Sequence, residues 1–90
     1  MRIRDITEDA HGVLWIAARA TGLVRLDPRT GANTTYQLSS DKAWAVTMDH
    51  TGILWVGTEN GLNRFDPATE RVTTYYESDG LANNSVRMAV

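Results

Sequence analysis

The chain contains no cysteine. That removes a disulfide framework and any thiolate metal site, and leaves the redox compartment open. It has no run of Lys or Arg. Nine basic residues against eleven acidic ones give a formal net charge of -2, so nucleic acid and anionic membranes find no electrostatic footprint. No apolar run approaches the roughly 20 residues of a membrane span. The first nine residues, Met1 to Asp9, alternate charged and aliphatic side chains without an apolar signal-peptide core. The targeting segment of an exported parent would therefore lie outside this chain. No stretch keeps a helical period. What is present is ordinary for a soluble globular protein: 42% hydrophobic and 22% charged residues in a chain of 90, one small domain's worth, with a modest buried fraction.

Self-similarity organises the rest. Asp9-Ala10-His11-Gly12-Val13-Leu14-Trp15-Ile16 aligns with Asp49-His50-Thr51-Gly52-Ile53-Leu54-Trp55-Val56. Gly22-Leu23-Val24-Arg25-Leu26-Asp27-Pro28 aligns with Gly61-Leu62-Asn63-Arg64-Phe65-Asp66-Pro67, and Thr34-Thr35-Tyr36 with Thr73-Thr74-Tyr75. The period is about 40 residues, the length of a propeller blade. The first copy holds one extra residue between Trp15 and Gly22.

Each copy reads as four short strands. Arg2–Glu8 and Ala43–Met48 come first and end in an Asp-x-x-Gly turn. There Asp9 and Asp49 accept backbone amides, and Gly12 and Gly52 take positive φ without steric cost. Val13–Ala18 and Ile53–Thr58 follow; both are apolar on two faces, as in a strand covered from both sides. Leu23–Asp27 and Leu62–Asp66 are third, the latter entered through Glu59-Asn60-Gly61 with its Asn-Gly hairpin signal. Asp27-Pro28 and Asp66-Pro67 start β-turns. Ala32–Leu38 and Arg71–Glu77 close each copy as Thr- and Tyr-rich edge strands. The predicted fold is all-β: two four-stranded antiparallel β-propeller blades, residues 1–42 and 43–78. Residues 79–90 add a turn-rich linker and the inner strand Val86–Val90 of a third blade. Such blades bury their two apolar faces only by stacking, so the sequence reads as an incomplete propeller whose partners are neighbouring blades of the same parent chain or of other copies. The two first-strand equivalents favour an excised piece; the rival is exchange of Val86–Val90 into a neighbouring chain.

These residues resemble the two-component regulator propeller repeat. The second copy is the closer: Asp49, Gly52, Leu54-Trp55-Val56-Gly57-Thr58 and Gly61-Leu62-Asn63-Arg64-Phe65-Asp66. Gly80-Leu81-Ala82-Asn83-Asn84-Ser85-Val86-Arg87 is similar to that family's inter-blade segment. The first copy departs from the pattern at Ala17-Ala18, where Gly-Thr is expected. The resemblance implies an extracytoplasmic, periplasmic sensor module of a bacterial membrane receptor, in which carbohydrate or another small molecule is the ligand and a signalling output lies elsewhere.

Trp15 and Trp55, recurring on the two-sided strand, are expected to pack between blades; Trp55→Ala is expected to cost about 3–5 kcal/mol, as large core deletions do. Trp44 is unique, since Arg4 stands at its position in the first copy. It lies where an inner strand begins, beside the central channel, and reads either as a stacking platform or as a gap filler. Arg19, Glu59 and Asn60 occupy the hairpin that differs most between copies, where specificity commonly resides on a constant scaffold; the plain reading is solvated turn residues. Arg25 and Arg64, recurring with Asp27 and Asp66, are expected to form structural ion pairs. His11 and His50 fall at non-equivalent turn positions, so no repeated metal site is indicated. No catalytic residue and no cofactor is indicated either. The leading reading is a non-catalytic binding module. A propeller enzyme of lyase type would gather residues from more blades than two, and a WD-type interaction scaffold would carry Trp-Asp where Trp15-Ile16 and Trp55-Val56 stand.

Overall fold

The computed structural model describes residues 2–76. The linker 79–85 and the strand Val86–Val90 lie outside the described residues. Eight strands form two sheets of four, each in sequence order and antiparallel throughout. The first sheet, blade 1, holds β1 (Arg2–Glu8), β2 (Leu14–Arg19), β3 (Gly22–Leu26) and β4 (Asn33–Tyr36). The second, blade 2, holds β5 (Ala43–Met48), β6 (Leu54–Thr58), β7 (Gly61–Asp66) and β8 (Arg71–Tyr75). The inner strands match the predicted spans; the others shift by one or two residues at their ends. β4 stops at Tyr36 rather than Leu38, because the chain there turns toward blade 2 and Ser39 gives its amide to Asn63.

Strand alternation decides which side chains meet. The back of blade 1 presents Val13, Trp15, Ala17 and Leu23, and the front of blade 2 presents Ala43, Val46, Leu54, Val56 and Phe65; together they form one buried core. Its centre is aromatic. Trp15 and Tyr36 stack with centroids 6.1 Å apart, and Phe65 crosses from blade 2 at 5.7 Å from Trp15 and 4.7 Å from Tyr36. Offset and tilted pairs of this kind add about 0.5–1.5 kcal/mol each beyond burial.

In each blade one carboxylate anchors this layer. Asp9 accepts the amides of His11 and Val13 at 2.8 and 3.1 Å and the Trp15 indole N–H at 3.1 Å. Asp49 repeats the arrangement with Thr51 and Ile53 and takes the Trp55 indole at 2.9 Å. The turn residues Gly12 and Gly52 sit at φ 80° and 87° as expected. Burial alone would raise the Asp9 carboxyl, but the Trp15 indole and the two amides, with His11 nearby, hold it below the usual carboxylate range. The Thr51 hydroxyl and the Trp55 indole hold Asp49 well below that range.

A polar clasp seats the inter-blade linker. Fully buried Asn63 accepts the Ser39 amide and the Thr74 hydroxyl, and donates to the Ser39 hydroxyl at 2.8 Å. Thr58 joins through Ser39 and also donates to the Gly61 carbonyl at 2.8 Å. The register puts Val24 and Ala18 of blade 1 at the positions of Asn63 and Thr58. The front of blade 1 is accordingly an apolar cluster of Ile16, Ala18 and Val24, edged by Leu14 and Leu26.

The hairpin before β7 forms, but not through positive φ at Asn60: among the described residues outside glycine, only Ala20 and Glu70 have it. The left-handed residue is Gly61, at φ 108°, where a Cβ would come within 2.8 Å of the Tyr75 carbonyl oxygen. Gly61→Ala is expected to destabilise the chain by about 2 kcal/mol, through backbone strain and that collision, whereas Gly31→Ala meets nothing within 4 Å and carries only the φ cost. Equal urea midpoints for the two variants would exclude the close approach.

The two repeat tryptophans are not equal, which corrects the expectation for Trp55. Trp15 is 2% exposed under Phe65; Trp55 is half-buried and stacks on Tyr75 of its own blade. Trp15→Ala is therefore the substitution expected to lose about 3–5 kcal/mol, and Trp55→Ala markedly less, by urea unfolding followed by circular dichroism.

Because the folded-state values of Asp9 and Asp49 are depressed, their contribution is fully present above the unfolded carboxylate value of 3.8 and is lost as pH falls through the folded values. Unfolding free energy should fall steadily below about pH 4, and more shallowly in the Asp9→Asn, Asp49→Asn double variant. An unchanged acid slope in that variant would show that neither carboxylate is linked to folding.

Candidate binding site

The blade interface has two ends. At the Asp-turn end an open cleft of about 420 Å³ runs between the blades, lined by Asp9, His11, Trp15, Arg25, Tyr36 and Glu70 among others. Its polar groups are largely used. Asp9 is committed to its turn and indole, and burial followed by the Glu70 carboxylate, which accepts the Tyr36 hydroxyl, pushes the Tyr36 phenol up. Glu70 holds φ 59° at the place where blade 1 has Gly31 at φ 75°. Both close their turns, Glu70 donating to the Asp66 carbonyl at 2.7 Å and Gly31 to the Asp27 carbonyl at 2.8 Å.

Arg25 and Arg64 do not make the expected ion pairs. Asp27 pairs instead with Arg29, at 3.5 Å. Arg25 instead lies over the Trp15 ring at 5.9 Å from its centroid, because the register sets it directly across from Trp15; Arg64 stands across from Trp55 in the same way. Asp27 and Asp66 spend their carboxylates on the amides of Arg29 and Ala68, both at 3.0 Å. The Arg29 amide is the main reason the Asp27 carboxyl lies below its usual range.

The opposite end, where the inner strands begin and the β2–β3 and β6–β7 hairpins lie, gathers the residues singled out from the sequence. The guanidinium of Arg4 sits 4.6 Å from the Trp44 ring centroid, a cation–π contact between equivalent positions on neighbouring blades. The Trp44 indole donates to the Glu59 carboxylate. The Glu59 amide donates to the Lys42 carbonyl at 3.1 Å, and Lys42 forms an antiparallel bridge with Arg19. Asn60, exposed beside Glu59, gives its amide to the Thr58 hydroxyl at 3.1 Å. Trp44 and Glu59 thus touch directly, Arg19 joins through Lys42, and Asn60 stays at the rim. Arg4 and Lys42 belong to this cluster and were missed. The signal for Arg4 lay in the repeat, since matched inner-strand positions of successive blades face one another.

The hairpins here differ while their frames agree. Ala18 pairs with Gly22 around three residues, and Thr58 pairs with Gly61 around two. The extra residue of the first copy is absorbed in this loop, where Ala20 takes φ 66°. Among the described residues no group of three or more His, Cys, Asp or Glu could hold a metal ion, and no helix is long and apolar enough to cross a membrane.

No curated protein matches the chain. Among solved structures, the extracellular domain of a one component system from B. thetaiotaomicron is 27% identical with a TM-score of 0.72, over 84% of this chain and 11% of that one. The extracellular domain of a hybrid two component system from the same organism gives 20% identity and a TM-score of 0.80, over 92% of this chain and 12% of that one. Virginiamycin B lyase from Staphylococcus aureus gives 22% identity and a TM-score of 0.74, over 93% of this chain and 28% of that one. The last two likenesses speak to fold alone. The chain spans about a tenth of the length of the first two. Residues 37–60, which run from the inter-blade linker through β5 and β6 into the hairpin, match the family described as two component regulator propeller. The matched segment lies within the second of two blades that share one four-stranded antiparallel topology, so the chain is similar to the two component regulator propeller family over that segment.

Proposed function

We propose that this segment belongs to an extracytoplasmic sensing propeller and serves ligand recognition rather than catalysis, with a carbohydrate-class ligand engaged at the inner-strand end of the blade interface. The observation that carries this reading is the Arg4–Trp44–Glu59 cluster, in which non-repeated residues from two blades converge at one place. An aromatic ring with a guanidinium over one face and a carboxylate at its N–H edge suits a polyhydroxylated ligand, whose C–H face packs on the ring while its hydroxyls bond to the polar groups. The extracellular setting of the B. thetaiotaomicron neighbours supports an extracytoplasmic parent. The lyase likeness supports the shared fold and brings no reaction with it.

The test is calorimetric titration of neutral and acidic oligosaccharides, with tryptophan fluorescence as a second readout. At least one oligosaccharide is expected to bind, and Trp44→Ala to weaken it tenfold or more, about 1.4 kcal/mol, while Trp55→Ala leaves affinity unchanged. An affinity indifferent to Trp44→Ala and Glu59→Gln would remove the cluster from recognition.

A further inference from the structure

The cleft at the Asp-turn end lies in a seam whose two walls both belong to this chain. Blade 1 supplies Asp9, His11, Trp15, Arg25 and Tyr36, and blade 2 supplies Glu70 and the turn before it. Its volume of about 420 Å³ is that of a small-molecule site. A smaller cleft of about 270 Å³ adjoins it, where Pro67, Ala68 and Met48 form an apolar wall.

Two of the lining residues break the repeat, one from each wall. His11 stands where blade 2 has Thr51, whose hydroxyl donates to Asp49 at 2.6 Å. The Asp9 carboxylate is answered by turn amides and the Trp15 indole, and the His11 side chain is left exposed at the cleft. Glu70 stands where blade 1 has Gly31, and holds a left-handed φ of 59°. A non-glycine residue persists in such a conformation only where its surroundings require it. Its carboxylate accepts the Tyr36 hydroxyl across the seam. Arg25 is the third charged group. It lies over the Trp15 ring at 5.9 Å from the centroid, and its charge acts on the same Tyr36 phenol as Glu70 does. A cation and a carboxylate thus meet at one hydroxyl, yet among the described residues neither Arg25 nor His11 is ion-paired.

A guanidinium held over a ring keeps its fork of N–H donors for a planar carboxylate. A carboxylate that accepts one phenol has lone pairs left for an ammonium. A simple anion would be repelled by Glu70 and a simple cation by Arg25, whereas a ligand with both charges close together satisfies both. We infer that the seam cleft binds a free apolar α-amino acid, with its carboxylate on Arg25 and His11, its ammonium on Glu70, and its side chain toward Pro67, Ala68 and Met48. This site lies at the opposite end of the interface from the Arg4–Trp44–Glu59 cluster and does not rest on it.

Calorimetric titration of the 90-residue chain with L-leucine, L-valine and L-methionine tests this, beside N-acetyl-L-leucine and L-leucinamide. At least one free amino acid is expected to bind, and the two blocked forms to bind about tenfold more weakly or worse than leucine. His11→Thr and Glu70→Gly each borrow the residue that the other blade carries at the same turn position, so both should keep the native circular dichroism. Each should weaken the amino acid about tenfold or more, and Arg25→Gln at least as much. Arg64→Gln, the same change one blade on and outside the cleft, should leave affinity unchanged. The inference is overturned if none of the free amino acids binds, or if the blocked forms bind as tightly as leucine. Affinity that survives both Glu70→Gly and Arg25→Gln overturns it equally.

Discussion

The hydrogen bond from Trp15 to the aspartate six residues earlier sets the geometry on which the blade interface depends. An indole has a polar edge and an apolar body, and burying it leaves the N–H in need of an acceptor. Asp9 supplies one from a turn that it is already closing, so a single carboxylate answers two turn amides and one indole. Tyr36 stacks on that indole and Phe65 of the next blade closes over both. An intrablade polar bond thus orients an interblade apolar surface.

Where the two copies differ, the differences are compensated. Blade 2 carries a buried amide, Asn63, and pairs both its oxygen and its nitrogen through Ser39 and Thr74; blade 1 puts Val24 there and has an apolar cluster instead. Blade 1 carries Asp5 and uses both of its oxygens on equivalent strand amides, and blade 2 does without a carboxylate at Ala45. Blade 2 accepts Glu70 in a left-handed turn position that glycine fills in blade 1, and that carboxylate reaches the Tyr36 hydroxyl. Buried polar groups are tolerable only when satisfied as a set.

The sequence displayed whatever the period of about 40 residues repeats: the eight strands, the Asp-x-x-Gly turns, a tryptophan at the same position of each second strand. Those features are local, fixed by alternation and turn chemistry within a few residues. It did not display contacts between blades. Arg25 was expected to cross to a neighbouring strand or turn and form an ion pair, whereas antiparallel pairing set it across from the Trp15 ring. Arg4 was visible only as the counterpart of Trp44, not as its partner. The inequality of Trp15 and Trp55 was likewise hidden, since identical positions in a repeat differ only in what lies beyond them.

The same comparison separates the two ends of the interface by what each is free to change. At the Asp-turn end the carboxylates are consumed by backbone amides and indoles, so substitution there unpins the aromatic layer. At the opposite end the pairs Ala18–Gly22 and Thr58–Gly61 hold equivalent frames around loops of different length. A frame that keeps register while its loop gains a residue lets chemistry vary without disturbing the core. Arg in one blade and Trp in the next, at the same inner-strand position, is variation of that kind. It converges with Glu59 because successive blades bring matched positions together. Recognition built at this end would therefore be read from the differences between blades, and stability at the other end from their likeness.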